Sequence, residues 1–459
     1  MLGHLGEDGY VHVDDPEVAD VLVVNTCAFI DSAKEESVDA ILDAAEIKSR
    51  GNKRLVVAGC LSQRYAPDLA KEIPEVDHFI GTGNIEQIRE VLAESGRPSL
   101  PIVGQPTPHP RLRGRNPLRP YRHEPASSDE PQVFIPDPDF TIRADSPRVS
   151  SQAFYTHYLK VSEGCSNSCA FCIIPKLRGP QRSRTIEDIV REAEARIDAG
   201  TVELNLIAQD LCAYGKDRSE GENLAKLLRA LNKTASQASQ PVWIRCMYAY
   251  PRGMTRDVID TLANSEHVVP YLDMPLQHIS DRLLRSMKRG KGGEATWDLL
   301  RRLRAAIPGL TLRTTFITGL PGETDEDFDE LVRFVEELRF ERMGVFTYSP
   351  EEDTPAATMD HQIPAELALE RQQRLMALQQ EISADQQEAL VGQTLQVLVE
   401  GVSEETELLL QGRHPGQAPD IDGVTYINQG DANPGQVVEI VVEEAGDYDV
   451  AGGIVERVA

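Results

Sequence analysis

Three cysteines in the middle of the chain have the residue type and spacing to carry chemistry. Cys165, Cys169 and Cys172 are separated by three and two residues and follow an alternating apolar run, residues 157–162. One loop with this spacing can present three thiolates to one face of a metal cluster. Because a 4Fe–4S cluster contains four irons, three thiolates leave one iron open to a substrate or a cofactor.

A structural zinc site and unligated buried thiols are the alternatives for these three cysteines. Zinc would require a fourth ligand nearby, usually from a second paired group. Cys212 and Cys246 stand alone, far along the sequence, so we expect both to be structural. The spacing therefore favours an iron–sulfur cluster with an open iron.

The cysteine pattern resembles that of the radical S-adenosylmethionine (SAM) enzymes. In that family the fourth iron binds the amino and carboxylate groups of SAM, and one electron splits SAM to give a 5′-deoxyadenosyl radical. The resemblance implies that Phe171 lies beside the adenine. It also implies that a glycine turn after the fifth predicted strand helps to hold SAM, with Gly319, Gly322 and Glu323.

Composition limits the class of protein. The 459 residues carry a net charge of −27, which does not suit broad binding to a phosphate backbone. Seven cysteines, most of them in motif-like contexts, favour metal ligation in a reducing compartment over disulfides. The start of the chain lacks the basic and apolar regions of a signal peptide, and no apolar run is long enough for a membrane span. We therefore expect a cytoplasmic protein without a membrane partner.

Residues 1–96 alternate between strand and helix patterns and predict a small parallel α/β domain. The predicted strands are 19–25, 53–58 and 76–81, and the predicted helices are 32–48, 67–73 and 85–93. We expect Ser32 and Glu35 to form a capping box at the start of the first long helix. Cys27 and Cys60 end the first two strands. Because ligands gather at the carboxyl ends of parallel strands, the two thiols could share one metal; two buried core thiols are the alternative.

The segments Asn25-Thr-Cys-Ala-Phe-Ile-Asp-Ser-Ala and Ala58-Gly-Cys-Leu resemble the amino-terminal domain of methylthiotransferases. That domain holds a second 4Fe–4S cluster with three cysteines, and Cys27 and Cys60 match two of them. The first cysteine of the family, in a loop after an initial strand, has no counterpart here. We expect either that the true start lies upstream of Met1 or that one cluster ligand is absent. In the family this cluster delivers a sulfur that is methylated from a further SAM.

Residues 97–150 are rich in proline and predict an extended connector. Its arginines recur without acidic residues at Arg111, Arg113, Arg115, Arg119 and Arg122. This basic stretch is either an arm for nucleic acid or a solvated linker that lies on the acidic surface of the same protein.

Residues 151–388 contain six repeats of strand and helix patterns and predict a partial (β/α)6 barrel of the radical SAM type. Its chemistry should lie at the carboxyl ends of the strands. The cysteine loop follows the first strand, and Gln209 follows the second, so Gln209 is a further candidate for binding the cofactor. We expect His278 to be structural and Asp210 and Asp273 to act as local caps.

Several motifs resemble one branch of the methylthiotransferases, the one that modifies an aspartate of ribosomal protein S-twelve. They include Ala208-Gln-Asp-Leu-Cys-Ala-Tyr-Gly and Tyr271-Leu-Asp-Met-Pro-Leu-Gln-His. The resemblance implies that the radical removes a hydrogen from the β-carbon of that aspartate, with the help of an electron donor and a sulfur donor. A tRNA adenosine methylthiotransferase is one alternative. A truncated chain that holds one cluster and transfers no sulfur is the other.

Residues 389–459, with strands predicted at 393–400, 406–410 and 437–442, predict a small β-barrel that resembles a TRAM domain. From residue 391 onward the chain has thirteen acidic side chains against two arginines. Such a surface repels phosphate and attracts a basic protein, for which ribosomal proteins qualify as a class. It agrees with a protein substrate, free or in the small ribosomal subunit, rather than with tRNA. A merely solubilising acidic surface is the alternative.

Overall fold

The computed structural model describes residues 1–83, 88–93, 121–123, 131–149, 152–290 and 292–455. In chain order they form a mostly parallel five-stranded α/β sheet, a six-stranded parallel sheet of a partial α/β barrel and a closed small barrel. This confirms the predicted fold class. No helix in the described ranges combines the length and the apolar character needed to cross a lipid bilayer.

The N-terminal domain contains one five-stranded sheet with the order β1-β2-β3-β5-β4. Only its edge strand β4 is antiparallel. The residues Leu55, Val56 and Val57 are fully buried, as expected for a parallel strand that is covered on both faces. The elements are α1 (Leu2–Glu7), β1 (Val21–Thr26), α2 (Asp31–Ser49), β2 (Arg54–Gly59), α3 (Cys60–Glu72), β3 (His78–Ile80), α4 (Ile88–Ala93), β4 (Tyr121–His123) and β5 (Gln132–Ile135).

The interpretation of residues 97–150 as a connector is wrong at its carboxyl end. Strand β5 pairs in parallel with β3 and belongs to the first sheet. The surrounding prolines concealed a four-residue strand whose Val133 and Ile135 side chains are buried. Most of the arginine-rich stretch lies outside the described residues; Arg122 falls in β4.

Two helix starts also differ from the prediction. Helix α2 begins at Asp31, and no side chain caps it, so the Ser32–Glu35 capping box is wrong. Helix α3 begins at Cys60, directly after β2, and includes Pro67 within its length. Cys60 therefore occupies the first turn of a helix, where free N–H groups favour a negatively charged thiolate.

The middle domain is a parallel sheet with the order β13-β12-β11-β10-β9-β6, and it contains all six predicted strands. Because the strands are parallel, their carboxyl ends meet at one end of the barrel. The elements are β6 (Thr156–Lys160), β7 (Ser162–Glu163), α5 (Ile174–Arg178), β8 (Arg182–Ser183), α6 (Ile186–Asp198), β9 (Glu203–Ile207), α7 (Leu224–Ala235), β10 (Trp243–Cys246), α8 (Arg256–Asn264), β11 (Val268–Asp273), α9 (Asp281–Ser286), α10 (Gly293–Ala306), β12 (Thr311–Thr318), α11 (Asp325–Leu338), β13 (Arg342–Thr347) and α12 (Ala365–Glu388).

Five helices around this barrel, α6, α7, α8, α9 and α11, begin at side-chain caps and bury one apolar face. Asn223 caps α7, whose Leu227, Leu228 and Leu231 pack in the largest core cluster. Thr324 and Asp327 form a capping box at the start of α11. Each cap satisfies backbone N–H groups that a helix end leaves without partners, so it fixes where the preceding loop ends.

The C-terminal domain is a closed five-stranded barrel. The predicted strand at 406–410 is wrong in position, because the strand begins only at Leu410. Strands β16 and β18 were not predicted; β18 contains Gly452, whose missing side chain allows Val441 of the neighbouring strand to approach closely. The elements are β14 (Thr394–Val402), β15 (Leu410–Arg413), β16 (Thr425–Gln429), β17 (Val437–Ala445) and β18 (Val450–Ile454).

The loop between β15 and β16 closes the amino-terminal end of the middle barrel. Arg245 on β10 donates to the carbonyl oxygen of Pro415 at 2.6 Å. The hydroxyl of Tyr271 on β11 donates to Asp422 at 2.5 Å. The opposite end of the barrel, which holds the carboxyl ends of the strands, remains available for chemistry.

Candidate active site

The cysteine loop that follows β6 and β7 is held by backbone hydrogen bonds on several sides. Cys165 N donates to Gly179 O at 3.0 Å, and Ala170 N donates to Met287 O at 2.8 Å. Gly164 has a φ of +79°, and a Cβ there would lie 2.3 Å from a backbone oxygen. Only glycine suits that position. The backbone therefore fixes the direction in which the next residue, Cys165, points.

Each of the three sulfurs has a nearby hydrogen-bond donor. Burial raises the pKa of Cys172 to about 12, while the backbone N–H of Ile174 acts in the opposite direction. Burial likewise raises the pKa of Cys165, against the backbone N–H of Asn167. Arg289 Nη1 lies 3.6 Å from Cys169 Sγ. Such donors stabilise the thiolate form once a metal cluster displaces the protons.

The three cysteines supply thiol ligands that suit an iron–sulfur cluster. In the part of the chain that the structure describes, no three His, Cys, Asp or Glu side chains converge as a mononuclear metal site requires. A 4Fe–4S cluster needs no such convergence, because each thiolate binds a different iron. Three thiols on one loop, each with a donor, match the demands of that cluster.

A cavity of about 460 Å³ opens directly beside these thiols. Its volume lies in the range of small-molecule and cofactor sites. Its wall is built from the cysteine loop and from the carboxyl ends of the strands, and Phe29 of the N-terminal domain joins it. Among the lining residues are Phe171, Gln209, Tyr248, Gln277, Arg289 and Thr315.

The structure brings some of the predicted cofactor residues to this cavity and not others. Phe171 and Gln209 line it, and the buried Oε1 of Gln209 has no hydrogen-bond partner. Gly319, Gly322 and Glu323 are not among the lining residues. The carboxylate of Glu323 instead accepts the N–H groups of Gly319 and Leu320 and forms an ion pair with Arg371. Glu323 thus shapes its own loop.

Cys27 and Cys60 converge, as their positions at neighbouring strand ends predict. Strands β1 and β2 are paired in register up to Thr26 and Gly59, the residues before the two cysteines. Burial raises the pKa of Cys60, Arg178 lowers it through charge and a hydrogen bond, and nearby Cys27 raises it. Two thiols and one guanidinium therefore share this small region.

Arg178 and Glu163 connect the two groups of cysteines, and the sequence analysis did not identify either residue. Arg178 interacts with Cys60 and donates to Glu163 at 3.1 Å. Glu163, two residues before Cys165, also accepts from Lys160 at 2.6 Å and from Gln209 at 3.2 Å. Although burial raises the pKa of Glu163, Lys160 and Arg178 hold it below its ordinary value. Glu163 lies two residues before Cys165 and Arg178 lies six residues after Cys172, and this closeness in sequence was the available signal.

Three known protein families match the three parts of the chain. Residues 1–81 match an uncharacterized protein family, UPF0004. Residues 159–335 match the radical SAM superfamily, and residues 391–455 match the TRAM domain. The radical SAM match covers the cysteine loop and the carboxyl ends of five of the six strands, β6, β9, β10, β11 and β12.

Relatives of known function match over the whole chain. A protein of Anaeromyxobacter sp. (strain Fw109-5), ribosomal protein uS12 methylthiotransferase RimO, is 51% identical over 458 residues, which are 100% of this chain and 90% of the relative. The chain belongs to the RimO family of methylthiotransferases. The RimO protein of Myxococcus xanthus (strain DK1622) is 49% identical, over 100% of this chain and 88% of the relative.

Solved structures agree with the fold of this RimO family member. The radical SAM methyltransferase TsrM of Kitasatospora setae, solved with cobalamin and a 4Fe–4S cluster, superposes with a TM-score of 0.53 at 16% identity. The match covers 73% of this chain and 66% of TsrM, and at that identity it speaks for the fold alone.

Family membership confirms the predicted resemblance. The chain is a radical SAM transferase, and SAM and 4Fe–4S clusters are the cofactors of its class. The choice of the RimO branch within the methylthiotransferases is confirmed as well.

Proposed function

We propose that this chain transfers a methylthio group to the β-carbon of an aspartate on ribosomal protein uS12. The observation that carries the proposal is the full-length similarity to uS12 methylthiotransferases, which includes both domains that bear the converging cysteines. A ribosomal protein as substrate supports a cytoplasmic location.

Cys165, Cys169 and Cys172 would hold the SAM-cleaving 4Fe–4S cluster. When bound, the cluster and SAM supply a carbon radical that can remove hydrogen from an unactivated carbon, which no side-chain base can do. Phe171 and Gln209 line the cavity and would contact SAM. Gly319, Gly322 and Glu323 would act indirectly, by fixing the loop after β12.

Cys27 and Cys60 would supply two ligands of the second cluster. Cys212 and Cys246 are buried in the core of the middle domain, so neither can complete that site. Arg178 balances the negative charge of Glu163 and would balance that of a cluster-bound Cys60 thiolate. The reaction further requires an electron donor and a sulfur donor.

The charge of the C-terminal barrel supports a basic protein substrate over tRNA. Nine of its acidic side chains are exposed: Glu404, Glu405, Glu407, Asp420, Asp431, Glu439, Glu443, Glu444 and Asp447. Their field attracts a basic ribosomal protein and repels a phosphate backbone. Attraction of this kind acts mainly on the rate of association and weakens with salt.

A substrate competition tests the proposal. The anaerobically reconstituted chain is offered free uS12, the small ribosomal subunit and tRNA in one mixture, with SAM, sulfide and a reductant. Mass spectrometry of each product should find the methylthio group on uS12, either free or assembled. The Cys169→Ala variant should leave every substrate unmodified. Methylthio groups on tRNA alone would overturn the proposed substrate.

A further inference from the structure

Glu351 is a buried carboxylate that the activity described so far does not use. It lies after β13, with 2% of its surface exposed. It accepts from two cations of the N-terminal domain, Lys34 Nζ at 2.8 Å and Arg64 Nη1 at 2.8 Å. Because an unpaired buried charge is costly, a carboxylate in this place needs these partners.

Arg64 extends this contact to the segment that carries Cys27. Its Nη1 also donates to the carbonyl oxygen of Ala28 at 3.3 Å, and its Nη2 donates to Glu352 O at 2.9 Å. Ala28 directly follows Cys27, and the next residue, Phe29, lines the cavity. One planar guanidinium thus holds the Cys27 segment and the loop after β13 together, a task that suits its fixed fork of donors.

The loop of Glu351 also contacts the other cysteine group. Ala356 N donates to Ala170 O at 2.9 Å, and Ala170 lies between Cys169 and Cys172. Lys176 of α5 donates to Asp353 O at 2.7 Å. Residues 351–356 therefore touch the Cys27 segment on one side and the cysteine loop on the other.

We propose that Glu351 is a positioning residue that sets the Cys27 segment relative to the cysteine loop. The inference rests on the proposed function, in which sulfur leaves one cysteine site and meets a radical made at the other. Hydrogen abstraction needs only the cysteine loop and the cavity. Sulfur transfer also needs the Cys27 segment to be held in the correct position relative to the cysteine loop. A misplacement of about 1 Å is enough to slow such a step by about 100-fold.

The test measures the two products separately in a Glu351→Gln variant. Glutamine keeps the shape of the side chain and removes the negative charge that Arg64 and Lys34 share, while Lys34 keeps its pair with Asp31. We expect formation of 5′-deoxyadenosine close to that of the wild type. The yield of methylthiolated uS12 per SAM cleaved should fall by about 10- to 100-fold. Glu351→Asp, which keeps the charge, should recover part of that yield.

Asp329→Asn is the matched control, because Asp329 pairs with Arg374 on the surface, with side chains 52% and 58% exposed. This variant should change neither product. A parallel loss of both products in Glu351→Gln, or no loss in either, would overturn the inference. Lys34→Met, at the more exposed edge of the same contact, should show the same split to a smaller degree if Glu351→Gln fails to fold.

Amide hydrogen exchange of the cluster-free protein gives a readout without catalysis. In Glu351→Gln, residues 27–29 should exchange faster while residues 165–172 exchange as in the wild type. Unchanged exchange at residues 27–29 would contradict the positioning role. A wild type that does not modify uS12 would refute the proposed function, and the exchange experiment would still decide whether Glu351 fixes the Cys27 segment.

Discussion

Arg413 of the C-terminal barrel donates two hydrogen bonds to Glu203 at the start of β9, with Nη1–Oε1 at 3.0 Å and Nη2–Oε2 at 2.7 Å. Arg245 on β10 donates to the same carboxylate at 2.9 Å, and all three side chains are buried. Burial alone raises the pKa of Glu203, but the two arginines outweigh it and lower the pKa to about 2. The C-terminal barrel is thus joined to the middle domain by a shared buried charge network.

Replacement of Arg413 by methionine should lower the free energy of unfolding by about 3–5 kcal/mol, because it leaves Glu203 with one cation instead of two. Urea unfolding followed by circular dichroism measures the change, with the midpoint compared because a chain of several domains need not unfold in two states. Arg339→Met removes an exposed pair with Asp385 and should cost less than about 1 kcal/mol. Equal effects of the two variants would refute the coupling.

Buried neutral histidines should make the protein sensitive to mild acid. Burial lowers the pKa of His278 and His78 to about 4 and that of His414 to about 3, from 6.5. Between pH 6.5 and 4 the unfolded chain binds protons that the folded chain does not, so stability falls as pH falls. Each histidine contributes up to about 1.4 kcal/mol per pH unit in that window.

His278→Gln tests this dependence at one position. The Nδ1 of His278 accepts from Ser280 N at 3.0 Å, a bond that a glutamine oxygen can replace. Unfolding midpoints measured from pH 7 to pH 4.5 should change less steeply in the variant than in the wild type. His12→Gln, at an exposed position, serves as the control. Parallel curves for His278→Gln and the wild type would exclude a contribution from His278.

The cysteine loop should account for about four irons per chain. Cys169→Ala should remove them and abolish SAM cleavage, because a cluster with two thiolates lacks a ligand. Cys246→Ala, which alters a fully buried thiol on β10 away from the cavity, should keep both. For each variant, iron and labile sulfide per chain are measured after anaerobic reconstitution, together with the yield of 5′-deoxyadenosine. SAM cleavage by Cys169→Ala would show that this loop does not hold the SAM-cleaving cluster.

Gln209 and Glu323 should respond differently to substitution, although the sequence made both candidates for SAM binding. Gln209→Ala removes an unpartnered amide oxygen from the cavity wall and should raise the Kd for SAM by about tenfold, the value of one hydrogen bond. Glu323→Gln weakens the loop after β12, so its main effect should be a lower midpoint of thermal unfolding. Calorimetric SAM titration and thermal unfolding distinguish them. A larger Kd change in Glu323→Gln would restore its predicted direct role.

The sequence predicted what local patterns determine. The spacing of Cys165, Cys169 and Cys172 and the alternation of strands lie within short windows, and both led to the cavity at the strand ends. Contacts between segments that are far apart in the chain could not be predicted from the sequence. Arg64 and Glu351 are 287 residues apart, and nothing in either neighbourhood indicates the other. Strand β5 was missed for a related reason, since its pairing with β3 outweighs a composition typical of a linker.

Helix caps show the same limit. Ser32 and Glu35 have the residue types of a capping box, yet α2 starts one residue earlier and does not use them. Thr324 and Asp327 do form such a box at the start of α11. Local residue preferences therefore indicate where a helix could start, and the packing of the neighbouring segments determines which start is used.

Turnover with uS12 that carries deuterium on the β-carbons of its aspartates tests the central claim most directly. Mass spectrometry should find one methylthio group in place of one deuterium at an aspartate β-carbon, and the 5′-deoxyadenosine formed should carry that deuterium. Deuterium-free 5′-deoxyadenosine together with unmodified uS12 would contradict both the substrate and the site of hydrogen abstraction.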